Sequence, residues 1–102
     1  MRIEVVGRNL EVTDAIRQHA EAKAAKLPKF FDGVQQVTIR VGREDHQHRG
    51  LFGVEITVDV EKHADFVANC TDEDLYKCID AAVQKATRQL TDFKEKLKLG
   101  KR

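Results

Sequence analysis

Residues 71–99, TDEDLYKCIDAAVQKATRQLTDFKEKLKL, carry the longest regular pattern in the chain. Leu75, Ile79, Ala82, Val83, Ala86, Leu90, Phe93 and Leu97 recur at helical spacing, which places them on one stripe of a single amphipathic helix. Thr71 followed by Asp74 has the form of a capping box, so Thr71 is the expected N-cap. Asp72, Glu73 and Asp74 would then put negative charge at the positive end of the helix dipole. Lysines crowd the last turns and Gly100 is the expected stop. At about 1.5 Å per residue the helix would be roughly 40 Å long, whereas ordinary strands span about 20 Å. Its distal end should therefore outreach the sheet it covers and be free to meet another surface.

The sheet is legible upstream. Residues 51–61, LFGVEITVDVE, alternate without a break: Phe52, Val54, Ile56, Val58 and Val60 face one way, and Glu55, Thr57, Asp59 and Glu61 the other. Residues 2–7 alternate through Ile3 and Val5, residues 36–41 through Val37, Ile39 and Val41, and a fourth strand continues through Phe66, Ala68 and Cys70. Residues 62–65 (KHAD) have the length of a hairpin turn. The polar run 42–50, GREDHQHRG, reads as a connection.

Between the first two strands lies another helix. Thr13 is its expected N-cap, with Asp14 in the first turn and a stripe of Ile16, Ala20, Ala24 and Leu27. Pro28 has no N–H to give the Ala24 carbonyl and should end or kink it. Lys23, Lys26 and Lys29 recur every three residues along its solvent side. The order is β-α-β-β-β-α. An α+β two-layer sandwich satisfies it: a four-stranded, mostly antiparallel sheet with two helices on its apolar face and acids on its open face. This arrangement resembles a double-stranded-RNA-binding domain with an extra leading strand.

With 102 residues the chain has the size of one domain, 1–102, with 99–102 as a flexible tail. No apolar run approaches the roughly 18 residues a membrane span requires, and no signal-peptide pattern follows Met1. Two cysteines, Cys70 and Cys78, point to a reducing cytoplasm and to small buried hydrophobes, not to a disulfide scaffold. The net charge is only +1, but it is unevenly spread. Residues 77–102 carry eight bases against three acids, and residues 30–76 carry four bases against ten acids. Such polarisation orients a domain on a polyanion, which a small net charge alone does not.

His46 and His48, beside Asp45, offer two imidazoles and a carboxylate within four residues. No further ligand stands at a recognised metal spacing, so no metal site is expected, although a small enzyme using this loop is the alternative from another class. A protein-interaction module working through an acidic sheet face is a third reading. No nucleophile–base pair or phosphate-binding glycine loop has its structural context, so no catalytic residue, cofactor or small-molecule substrate is expected. Gly50-Leu51-Phe52-Gly53 matches the GxxG clamp of KH domains in letters but opens a strand. Tyr76 lies off the apolar stripe and is expected to be half-buried with its hydroxyl in water.

Glu11-Val12-Thr13-Asp14-Ala15-Ile16-Arg17-Gln18-His19 with Ala25-Lys26-Leu27, and Asp74-Leu75-Tyr76 with Ile79-Asp80, resemble the short ribosome hibernation-promoting factors and ribosome-associated inhibitors. The likeness extends through Lys85, Arg88-Gln89-Leu90, Lys94 and Lys96-Leu97-Lys98, so it covers essentially the whole chain. It implies a non-enzymatic cytoplasmic regulator, monomeric off the ribosome, that sits on the small subunit where mRNA and tRNA meet and idles ribosomes during stress or stationary phase. By position it implies rRNA contacts at Lys23, Lys26, Lys29, Lys85 and Arg88. Asp92 and Phe93 depart from related short factors, which can be basic there. The 102 residues match the short form, without the tail of some inhibitors or the second domain of long factors.

Overall fold

The computed structural model describes residues 1–43 and 50–100. In chain order the elements are β1 (Arg2–Arg8), α1 (Asp14–Ala24), a 3-10 turn (Leu27–Lys29), β2 (Val34–Arg43), β3 (Phe52–Val60), β4 (Phe66–Asp72) and α2 (Leu75–Gly100). The strands form one sheet in the order β1-β2-β3-β4. β1 runs parallel to β2, with α1 as the crossover, while β2–β3 and β3–β4 are antiparallel. The fold is α+β, and both helices cover the face predicted to be apolar.

Strict alternation decides that face. Val37, Ile39, Val41, Ile56 and Val58 are fully buried, and they meet Ala20, Ala24 and Leu27 from the α1 side and Cys78, Ile79, Ala82 and Leu90 from α2. A one-residue slip in any of these strands would turn its apolar set to water, so the register is strongly specified. Gly7 makes the short β1–α1 connection possible. A Cβ there would run into the Leu10 carbonyl oxygen and lie 2.9 Å from Val12 Cγ2. Asn9, with φ of 54°, then takes the left-handed position that turns the chain toward α1.

Three expectations need correction. Thr71 does not cap α2. It pairs with Gly53 in the β3–β4 ladder, and β4 continues through Asp72. The cap is Asp74, whose Oδ1 accepts from the Tyr76 and Lys77 backbone N–H groups at 3.0 and 3.2 Å, while Asp72 Oδ1 accepts from Asp74 N at 2.8 Å. A carboxylate satisfies two orphan donors and complements the dipole, so Asp74 is the better cap once Thr71 is held by the sheet.

Pro28 does not end α1 directly. Ala25 N closes the helix on Glu21 O at 2.9 Å, and Pro28 then sits inside the 3-10 turn, where its missing N–H costs nothing. Lys26 and Lys29 consequently leave the helix axis. The open sheet face is not simply acidic either. Alternation and register place Arg2, Arg8 and Arg40 among Glu4, Glu55 and Asp59, and Arg40 Nη1 lies 3.4 Å from Glu55 Oε1.

The overhang is as expected. Buried side chains of α2 run from Leu75 to Leu90 and then stop, and Leu97 and Leu99 are 41% and 61% exposed. The molecule reaches 50 Å along its longest axis against 26 and 19 Å across.

Candidate nucleic-acid interface

On α1, the Thr13 hydroxyl accepts from Ile16 N at 3.2 Å. That fixes the first turn and directs Ile16, Ala20 and Ala24 into the core. The flank that faces α2 carries Lys23, whose Nζ lies 3.8 Å from Asp80 Oδ1 on α2. The same carboxylate oxygen holds His19 Nε2 at 2.7 Å, and the Tyr76 ring meets His19 edge-on at 4.9 Å. Tyr76 is 40% exposed, more open than the half-burial expected of it. Lys23 is thus partly committed to an inter-helix contact. Both partners are substantially exposed, so the pair is weak and can yield to a phosphate. Lys26 and Lys29 are exposed beyond the end of α1 and have no ion-pair partner among the described residues.

Lys85 and Arg88 occupy a different flank. Lys85 Nζ donates to the Asn69 carbonyl at 2.8 Å and Gln89 Nε2 to the Val67 carbonyl at 3.1 Å. These side chains cover outward-facing carbonyls of β4, the edge strand beside α2, and so discourage strand addition there. Arg88 is exposed and lines the same cleft of about 620 Å³ between α2 and β4. The five expected contact residues do not gather on one flank. They span the outer layer, from Lys23, Lys26 and Lys29 on the α1 side, over the ridge of α2, to Lys85 at the sheet edge. Lys77, in the first turn of α2, is also exposed and without an ion pair among the described residues. Sequence reading passed over it, although it stands seven and eleven positions before Gln84 and Arg88 on the same ridge.

The cysteines differ from one another. Cys78 is fully buried, with Sγ 2.9 Å from the Cys70 carbonyl oxygen, whereas Cys70 is only half-buried. Burial, reinforced by the neighbouring Cys70, pushes the Cys78 thiol up from 9.0 to about 12. It remains a neutral thiol and a poor nucleophile. Among the described residues no group of three His, Cys, Asp or Glu side chains is placed to hold a metal ion. His46 and His48 lie outside the described residues. No described helix is long and apolar enough to cross a membrane.

Comparison with known proteins adds kinship to this geometry. The chain is 35% identical to the ribosome hibernation promoting factor of Escherichia coli K12 over 101 residues, covering 96% of this chain and 98% of that protein. It is also 35% identical to the factor of Azotobacter vinelandii over 96 residues, covering 94% of this chain and 85% of the relative. Among solved structures, the N-terminal domain of Thermus thermophilus Protein Y superposes with a TM-score of 0.78 at 34% identity, over 91% of this chain and 99% of that one. A ribosomal subunit interface protein from Coxiella burnetii shares the fold, with a TM-score of 0.81 at 21% identity over 93% of this chain and 99% of that one. A family profile spans residues 3–98, nearly the whole basic two-helix layer and the sheet beneath it, and the chain belongs to that family, described as Sigma 54 modulation protein / S30EA ribosomal protein.

Proposed function

We propose that this protein is a ribosome hibernation factor. It binds the small ribosomal subunit in the channel shared by mRNA and tRNA and holds ribosomes inactive under stress or in stationary phase. The observation that carries the reading is the outer layer of the two helices. Lys26, Lys29, Lys77 and Arg88 are exposed there and lack ion pairs among the described residues, in a family whose relatives bear the hibernation name. Cations without acidic partners keep their field for an external polyanion, and each phosphate they neutralise releases counterions. Arg88 can grip a phosphate through two N–H groups, which a lysine cannot. Mechanistically the protein is a plug. Shape and phosphate contacts hold a rigid two-layer domain where translation ligands would lie, and no chemical step is involved. It acts in the cytoplasm and is a monomer until it meets the ribosome.

The test is sedimentation with purified 30S, 50S and 70S particles over a salt series. The protein should pellet with 30S and 70S. If about five phosphates are neutralised, log affinity should fall against log salt with a slope of about −3 to −5. Changing Lys85 and Arg88 together to Glu should abolish pelleting in a protein that still unfolds like wild type. Pelleting with 50S alone, or wild-type pelleting by the folded double variant, would contradict the reading.

A further inference from the structure

The cleft that carries Lys85 and Arg88 does not end at the last buried turn of α2. A second cleft of about 540 Å³ lies toward the free end of the helix, and the two share Gln89 and Asp92 in their walls. The two clefts therefore adjoin along the β4 edge, out under the overhang. Its far end is aromatic. His63, at the β3–β4 turn, lies nearly parallel to Phe66, with ring centroids 4.6 Å apart and planes 8° from parallel. Phe93 meets His63 at 4.4 Å and Phe66 at 5.4 Å, and Phe31 abuts Phe93 edge-on at 5.2 Å.

Pinning the helix to the hairpin explains the half-buried Phe66 and Phe93. It does not explain an exposed histidine in the cluster, or an open cleft that sets Lys96 beside the rings. Lys96 has no ion pair among the described residues. Gln89 stands in the wall between the two clefts. Its amide nitrogen is spent on Val67, while its carbonyl oxygen is buried with no partner.

We propose that these adjoining clefts take a single-stranded segment of RNA, with one unpaired nucleobase stacked in the His63–Phe93 cleft and its flanking phosphates on Lys96, Lys85 and Arg88. The proposal rests on the ribosome-binding reading above and adds a base-stacking subsite to it. Every nucleobase has a π face, so a ring cluster holds one without reading sequence. Three cations against one acid, Asp92, line the path, which favours a polyanion over an acidic or apolar peptide.

The experiment measures binding of purified 30S subunits by wild type, His63→Ala, His63→Phe and Lys96→Ala, with thermal unfolding of each to establish that it is folded. It is paired with chemical probing of the rRNA in each complex. His63→Ala should weaken binding about tenfold. Its salt slope should not change, and an unpaired base protected by wild type should become reactive again. His63→Phe should restore both affinity and protection. Lys96→Ala should reduce the salt slope by about one. Wild-type affinity in folded His63→Ala would overturn the stacking subsite and leave the ribosome reading standing. Weakened binding with no change at any base would put a ribosomal-protein side chain in the cleft and likewise overturn the proposal. Failure of wild type itself to bind 30S would overturn the ribosome reading, and this one with it.

Discussion

The two ends of α2 belong to one helix and obey different physics. From Leu75 to Leu90 the helix contributes seven buried residues to the core, and from 91 to 100 it contributes none. The first part is held by apolar surface removed from water. The second part is held by helix propagation from the first and by the ring cluster around Phe93. The buried part makes the domain stable, while the overhang adds reach and exposed lysines at little cost to the core. A helix of this kind can carry binding residues past the edge of its own sheet.

That contrast can be broken most sharply at two leucines seven residues apart. Leu90→Ala should lower unfolding free energy by about 2–5 kcal/mol, because a fully buried side chain leaves a cavity. Leu97→Ala should change it by less than about 0.5 kcal/mol. Chemical denaturation of both variants decides the matter, and comparable losses would mean that the overhang is part of the core. Phe93→Ala should cost an intermediate amount, about 1–2 kcal/mol, since the ring is half-buried among aromatic neighbours. Hydrogen exchange should then show loss of amide protection over residues 91–100 with protection through Leu90 retained.

At the opposite end of the helix, Asp74→Ala should cost about 1 kcal/mol of stability, and Thr71→Ala clearly less, if the cap is where the structure puts it. The last effect is set by pH and is confined to alkaline conditions. Cys78 ionises at about 9 in the unfolded chain and near 12 in the folded protein, so in that window the unfolded chain sheds a proton that the folded protein keeps. Stability should therefore fall as pH rises above 9. A Cys78→Ala variant should show a shallower decline, and identical slopes would argue against tight burial at the start of α2.

Features that repeat along one segment were legible in the sequence. The alternation of β3, the α1 stripe and the length of α2 each follow from a local period, and the element order followed from them. Features that depend on pairing distant segments were not. Thr71 and Asp74 are both good caps, and only the ladder bond to Gly53 chooses between them. The open sheet face reads as acidic from β3; alternation already sets Arg40 opposite the apolar residues of β2, but only the pairing puts it beside Glu55 and brings Arg8 of β1 onto the same face. His19 and Asp80 stand 61 positions apart, so nothing in the spacing foretold that Asp80 would hold Lys23 as well. His63 and Phe93 come together in the same way, from a turn and a helix end. The lysines themselves were identifiable as candidates, but their spread over two flanks of the helical layer required the fold. Their expected place on the ribosome came from family resemblance and not from any physical pattern.

The plug mechanism is tested most directly by initiator-tRNA occupancy. Labelled initiator tRNA is bound to mRNA-programmed 30S subunits and the protein is titrated in, with its own binding followed by a second label. The protein should displace the tRNA as it binds, at equal stoichiometry, and saturating tRNA should in turn drive the protein off. If tRNA occupancy stays unchanged while the protein is fully bound, the helical layer is docked elsewhere and steric exclusion is not how it acts.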